Sequence, residues 1–161
     1  MNTNDRNRSL TTLFTELIHG VPKGPAYILN GGDTGLLGSL DRLSAAVASR
    51  SSQGGATVAA HAAHIRYGMS LMNRWAAGED PWKDADWSQA WKTSAVTEAE
   101  WAELRRGLRH EVERWREALG TLREVSGSDL DTAIGSVVHL AYHLGAIRQI
   151  DREARGPRDA G

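Results

Sequence analysis

Two histidines stand four residues apart in the apolar stretch Val138-His139-Leu140-Ala141-Tyr142-His143-Leu144-Gly145-Ala146-Ile147-Arg148-Gln149. Residues i and i+4 of a helix lie one above the other on a single face, so the two imidazoles project together. The leucine, alanine and isoleucine around them predict that they project into a low-dielectric place. A pair of neutral imidazoles there is half of a transition-metal site. A second segment, Thr57 to Ala77, carries candidates for the other half. At 100° per residue, His61, His64, Gly68, Met72 and Trp75 fall on one stripe of a helix. Burying unpartnered imidazoles costs free energy, and an ion held between the two segments, or failing that a structural hydrogen-bonded network, would offset that cost. His139 and His143 with one or both of His61 and His64 would give three facing nitrogens and open positions for water or substrate, the arrangement of a reactive rather than a closed structural site. His61 and His64 are three residues apart, so spacing admits either. An ion in such a site could lower the pKa of bound water or of a bound thiol.

Other constellations carry less. Glu111 lies at the edge of an apolar helix face, where it is a candidate carboxylate ligand, a partner for a ligand histidine, or a solvated neighbour of Arg109 and Arg114. His110-Glu111-Val112-Glu113-Arg114 begins like a zincin motif, but arginine stands where the second ligand belongs. Glu16-Leu17-Ile18-His19 has the Glu-x-x-His spacing of di-iron bundles, which require two such motifs and two further inward carboxylates. Asn30 to Gly35 is glycine-rich without the Gly-Lys-Ser/Thr of a phosphate loop, and reads as a turn. Trp82, Trp87 and Trp91 crowd one connection. They would either pin it to the body of the protein or wall a pocket mouth or dimer surface.

The elements that must position these residues are all helical. Ser9 to His19 predicts a short leading helix, ended by Gly20-Val21-Pro22-Lys23-Gly24-Pro25. Leu36, Leu40, Leu43 and Val47 predict a helix over 34–50 with Asp33 or Thr34 as its cap. Ser51 to Gly55 is a linker, the His61/His64 helix follows, and Gly78 closes it. After the tryptophan segment, Thr97-Glu98-Ala99-Glu100 is a capping box. It opens a helix whose apolar face is Trp101, Leu104, Leu108, Val112, Trp115, Leu119 and Leu122. Ser126-Gly127-Ser128 separates this from the last helix, capped by Ser128 or Asp129 and running to about Glu153. With no strand alternation and no internal repeat, the fold class is all-α. The expectation is a four-helix bundle with a short extra N-terminal helix and one long Trp-rich connection between the second and third bundle helices. Residues 1–161 read as one domain, with 1–8 and 155–161 as flexible tails.

Composition excludes several classes. Cysteine is absent, which removes disulfides, thiolate nucleophiles and sulfur-based zinc sites. The 19 basic and 20 acidic residues give a net charge of −1, with no electrostatic footprint for nucleic acid. The N-terminus, Met1-Asn2-Thr3-Asn4-Asp5-Arg6, has no apolar signal core and no run is long enough to span a bilayer, so a soluble cytoplasmic protein is expected, without a membrane partner. A bis-histidine haem bundle is disfavoured, because there is no haem-attachment cysteine and the histidines cluster instead of flanking a slot.

Together these motifs resemble the DinB-like family, small four-helix bundles with a three-histidine metal site. The resemblance is carried by Thr57-Val58-Ala59-Ala60-His61-Ala62-Ala63-His64 and by His139-Leu140-Ala141-Tyr142-His143-Leu144-Gly145. Asp84-Ala85-Asp86-Trp87 and Trp101 are similar to a subgroup of that family. The similarity runs from about Ile28 to Ile150. It implies His64, His139 and His143 as ligands of a divalent ion, zinc or nickel, with His61 an extra histidine behind a ligand or lining the pocket. The family often has glutamine directly after the glycine, where this chain has Ala146, with Gln149 later. It further implies thiol-dependent chemistry, in which a low-molecular-weight thiol such as mycothiol or bacillithiol is transferred to a small electrophile or used in isomerisation. The alternative is a non-catalytic, metal-stabilised, stress-related bundle whose aromatic surface serves ligand binding or homodimerisation.

Overall fold

The apolar spacing along the chain is realised as helix. The computed structural model describes residues 2–21, 23–123 and 127–157, and among these it contains seven α-helices, two 3₁₀ turns and no strand. Four helices are long: α1 (Thr3–His19), α4 (Val58–Ala76), α6 (Glu98–Thr121) and α7 (Ser128–Ile150). Three are short: α2 (Gly35–Asp41), α3 (Ala45–Ala48) and α5 (Trp87–Ala90). The 3₁₀ turns are Pro81–Lys83 and Arg152–Ala154.

Local chemistry sets the ends. Thr57 caps α4 by accepting a hydrogen bond from the Ala60 amide at 3.1 Å. The capping box at α6 is present in both directions, Glu100 N–H to Thr97 Oγ1 and Thr97 N–H to Glu100 Oε2. Gly127, rather than Ser128 or Asp129, precedes α7. Gly20 ends α1 at φ +78, where a Cβ would collide with the backbone of Asp33.

The helices α1 and α4 each pack against both α6 and α7. Phe14, Leu17, Ile18, Leu36, Leu40, Ile65, Met69, Leu108 and Leu119 fill the space between them. Two indoles lie fully inside and find acceptors there: Trp101 Nε1 donates to the Leu43 carbonyl at 2.8 Å, and Trp115 Nε1 to Ser136 Oγ at 2.9 Å. No helix among the described residues is long and apolar enough to cross a membrane.

Three expectations about the scaffold need correction. The helix expected over 34–50 is two short ones. Ser44 takes extended geometry and accepts from the Val47 amide at 3.3 Å, capping α3, while the Leu43 carbonyl released by the break receives the Trp101 indole. Residues 3–8, expected to fray, form the first turns of α1, which makes the leading helix one of the four long ones. The cause is polar: Arg6 Nη2 donates to the Arg123 carbonyl at 2.9 Å and Asn7 Nδ2 to the Leu122 carbonyl at 2.8 Å, satisfying acceptors left over where α6 ends. At the other end α7 stops at Ile150, and residues 155–157 of the expected tail are docked. Arg42 donates to the Arg155 carbonyl and Asn30 to that of Pro157. Pro22, the linker position Ser126 and the end of the tail (158–161) lie outside the described residues.

Candidate metal centre

His61 and His64 lie in the opening turns of α4, and His139 and His143 in the middle of α7, on faces that the packing of α4 against α7 turns toward each other. Ala59, Ala60 and Ala62 are buried around the α4 pair. Their small side chains leave room for the rings.

The four imidazoles make one chain of contacts. His64 Nε2 lies 3.1 Å from His139 Nε2, His139 Nε2 lies 2.9 Å from His143 Nε2, and His143 Nδ1 lies 2.8 Å from His61 Nδ1. His143 and His64 are 2 % and 6 % exposed, while His139 is half-buried. A neutral imidazole has one N–H and one lone pair. His139 Nε2 faces two other ring nitrogens at once, so protons alone satisfy both contacts only if a single lone pair or N–H is shared between them. His64 Nδ1 is buried with no hydrogen-bond partner. Among the described residues only the contact of its Nε2 with His139 bears on the tautomer of that ring.

Protonation does not relieve the crowding. Burial, reinforced by the charge of the neighbouring rings, pushes His64 down to about 4 and His143 down to about 3. Burial also lowers His61 and His139. All four rings are thus held neutral near pH 7, the form that binds metals.

The donor set fits a metal ion. His64, His139 and His143 each present a ring nitrogen within 4.8 Å of the other two. Two nitrogens bound to one tetrahedral zinc at about 2.0–2.1 Å are themselves roughly 3.3 Å apart, close to the spacings seen here. The fourth ring completes the arrangement from behind. Were His143 to bind an ion through Nε2, its Nδ1 would carry the proton and could donate to His61 Nδ1, as outer partners of metal-bound histidines accept from their ligands. His61 therefore touches a candidate ligand and lies outside the converging three.

Glu111 does not join this group. Its Oε2 accepts from Asn73 Nδ2 at 2.7 Å, with Arg114 at 3.9 Å. His110 is exposed, and the Glu-x-x-His pair of α1 is divided between other tasks. Glu16 accepts from the backbone amides of Tyr27, Ile28 and Leu29, while His19 lies 2.7 Å from Glu113.

The tryptophan segment closes over the histidines. Trp91 stacks on His64 with ring centroids 4.3 Å apart, and Trp87 stands 5.5 Å from His64 and 6.5 Å from His139. Trp87 opens α5 and Trp91 is its C-cap, one helical turn further on. The segment is tied down by its own polar bonds: Tyr67 Oη accepts from the Asp86 amide, Arg74 pairs with Asp84, and Asp86 caps α5 through Ser88. Gly68 adds the last condition. A Cβ there would lie 3.5 Å from the Trp87 ring and 3.9 Å from His139 Cε1, so only a small residue leaves space between them. Gly68 shares the helical stripe of His61 and His64, and Trp91 is one of the three tryptophans expected either to pin the connection or to wall a pocket mouth or dimer surface.

Comparison of the chain with protein-family models, with curated proteins and with solved structures returned no match. The all-helical scaffold and its cluster of three histidines able to hold a metal ion stand on the chain's own geometry.

Proposed function

We propose that this chain is a metal-binding four-helix bundle of the DinB-like kind, holding a divalent ion, zinc or nickel, on His64, His139 and His143 and using it to transfer a low-molecular-weight thiol to a small electrophile. The observation that carries the reading is the meeting of three neutral ring nitrogens, two contacts of 3.1 and 2.9 Å sharing His139 Nε2, in a place where protons serve them poorly. A bound divalent ion supplies a Lewis acid able to hold a thiol in its ionised form at neutral pH. The chain's residues would do the rest. His61 orients His143, Trp91 covers one face of His64 against water, and the absence of cysteine leaves the external thiol as the sulfur nucleophile. In the transfer the thiol gives its proton to solvent and its sulfur forms the bond to carbon. The leaving group departs with the electron pair of the bond that breaks.

A second reading, a non-catalytic bundle whose apolar surface serves homodimerisation, draws on exposed Ile134, Val138 and Tyr142, which follow one another at four-residue steps along α7. The two readings separate on a cobalt-substituted sample. The enzyme reading predicts that millimolar 2-mercaptoethanol shifts and strengthens the visible bands as sulfur enters the open position. Cobalt bands present but indifferent to thiol would leave the binding module in its place.

A further inference from the structure

Beside the histidine group a cleft of about 460 Å³ opens to the surface between α4, α7 and the tryptophan segment. Met69, Met72, Trp82 and Trp87 make most of its walls, and His64 and His139 complete them. Among the described residues, no aspartate, glutamate, lysine or arginine lines it. Its two hydroxyls are already committed: Thr132 Oγ1 donates to the Ser128 carbonyl at 2.8 Å, and Ser136 Oγ donates to the Ala133 carbonyl at 2.7 Å while accepting from Trp115.

In the metal-free protein an anion entering this cleft would shed water and meet neither a cation nor a hydroxyl proton. A flat apolar molecule would lose nothing of that kind and would gain contact with two indoles and two thioethers. We infer that the cleft takes an uncharged, flat, apolar small molecule and holds it against the edge of the histidine group. The lining alone carries that inference. Its identification with the electrophile of the thiol transfer rests on the function proposed above.

Gly135 offers a way to close the cleft without touching the histidines. It lines the cleft, is exposed on α7, and a Cβ built there meets no heavy atom within 4 Å, so a larger side chain can be started from the cleft wall without a backbone collision. The test is calorimetric titration at pH 7 with 2-naphthol, which is neutral, and with 2-naphthalenesulfonate, which has the same rings and a fixed negative charge. Both go into the protein as purified and after treatment with a chelator, with metal content measured in parallel. Expected are binding of 2-naphthol in both forms, an affinity for the sulfonate lower by about tenfold or more in the metal-free form, and a similar loss of 2-naphthol binding in Gly135→Leu at unchanged metal content. In Thr132→Arg, which places a cation in the lining, the sulfonate should gain on 2-naphthol. Equal affinity for the two compounds in the unaltered metal-free protein would overturn the inference, as would undiminished 2-naphthol binding in Gly135→Leu. Selective 2-naphthol binding by a protein that takes up no metal would uphold the cleft and remove the metal reading. Metal uptake without 2-naphthol binding would do the reverse.

Discussion

Two groups of buried polar side chains in this protein are built on opposite plans. At the end of α1, Glu16 is 5 % exposed and its carboxylate receives the amides of Tyr27, Ile28 and Leu29, two of them at 2.6 Å. Nearby Asp33, 4 % exposed, receives the Gly35 amide and the Arg148 guanidinium, both at 2.7 Å. Acceptors there are matched by donors, and the result is a fixed loop, since a carboxylate that holds three amides leaves the chain no second conformation of similar energy. Between α4 and α7 the balance is reversed. Four imidazoles meet through ring nitrogens, lone pairs crowd around His139 Nε2, and His64 Nδ1 has no partner. A closed group stabilises the fold. An unbalanced one, carried at a cost in stability, is where a ligand is to be sought.

Substitutions that strike each group should break this contrast in different currencies, stability for one and metal affinity for the other. Glu16→Ala leaves three backbone amides of the 27–29 loop without their acceptor. It should cost about 3 kcal/mol or more by urea denaturation, because hydrogen bonds to a charged acceptor are worth roughly 1.5–3 kcal/mol apiece and orphaned amides add to the loss. Metal uptake by the folded fraction should be unaffected.

His61→Ala probes the unbalanced group from behind. The ring touches His143 Nδ1 and is not one of the converging three, so the variant should still bind metal, with affinity reduced by about 10–100-fold in a competition titration. His61→Asn, which can still accept from His143, should recover part of the loss. A variant with no residual site would make His61 a ligand in its own right.

A further test of the unbalanced group is the effect of pH on the metal-free protein. The histidines of the cluster are lowered in the folded state and titrate near 6.5 once unfolded, so between those values the unfolded chain binds more protons. Stability from the neutral cluster is therefore fully present above about pH 6.5 and is lost as pH falls toward the folded values, about 4 for His64 and about 3 for His143. Urea midpoints measured from pH 7.5 down to 5 should decline. In His64→Ala/His143→Ala, which removes the two rings with the largest shifts, the decline should be shallower.

Much of the candidate site was legible because helical periodicity is a strong signal. The four-residue step of His139 and His143, and the stripe shared by His61, His64 and Gly68, placed all five residues on facing surfaces before any packing was known. Spacing could not divide the work between His61 and His64, since both do turn inward. The division is made by which ring of α7 each one meets. The scaffold was legible where a local cap announces it, as at Thr97 and Glu100, and misread where the cause lies far away in the chain. Leu36, Leu40, Leu43 and Val47 keep helical spacing straight through a break that is held open by an indole 58 residues further on. Arg6 and Asn7 look like a solvated tail until α6 ends beside them with carbonyls to spare. Glu111 is a polar residue near an apolar stripe whose partner, Asn73, comes from another helix.

The central claim is that His64, His139 and His143 form one metal site, and zinc titration against a chromophoric chelator tests it most directly. The metal-free protein is compared with His143→Ala, the two being matched for helix content by circular dichroism. The account predicts about one tightly bound ion per chain in the unaltered protein and none competing with the chelator in the variant. Uptake that is the same in both, or absent from both while the fold is intact, would contradict it.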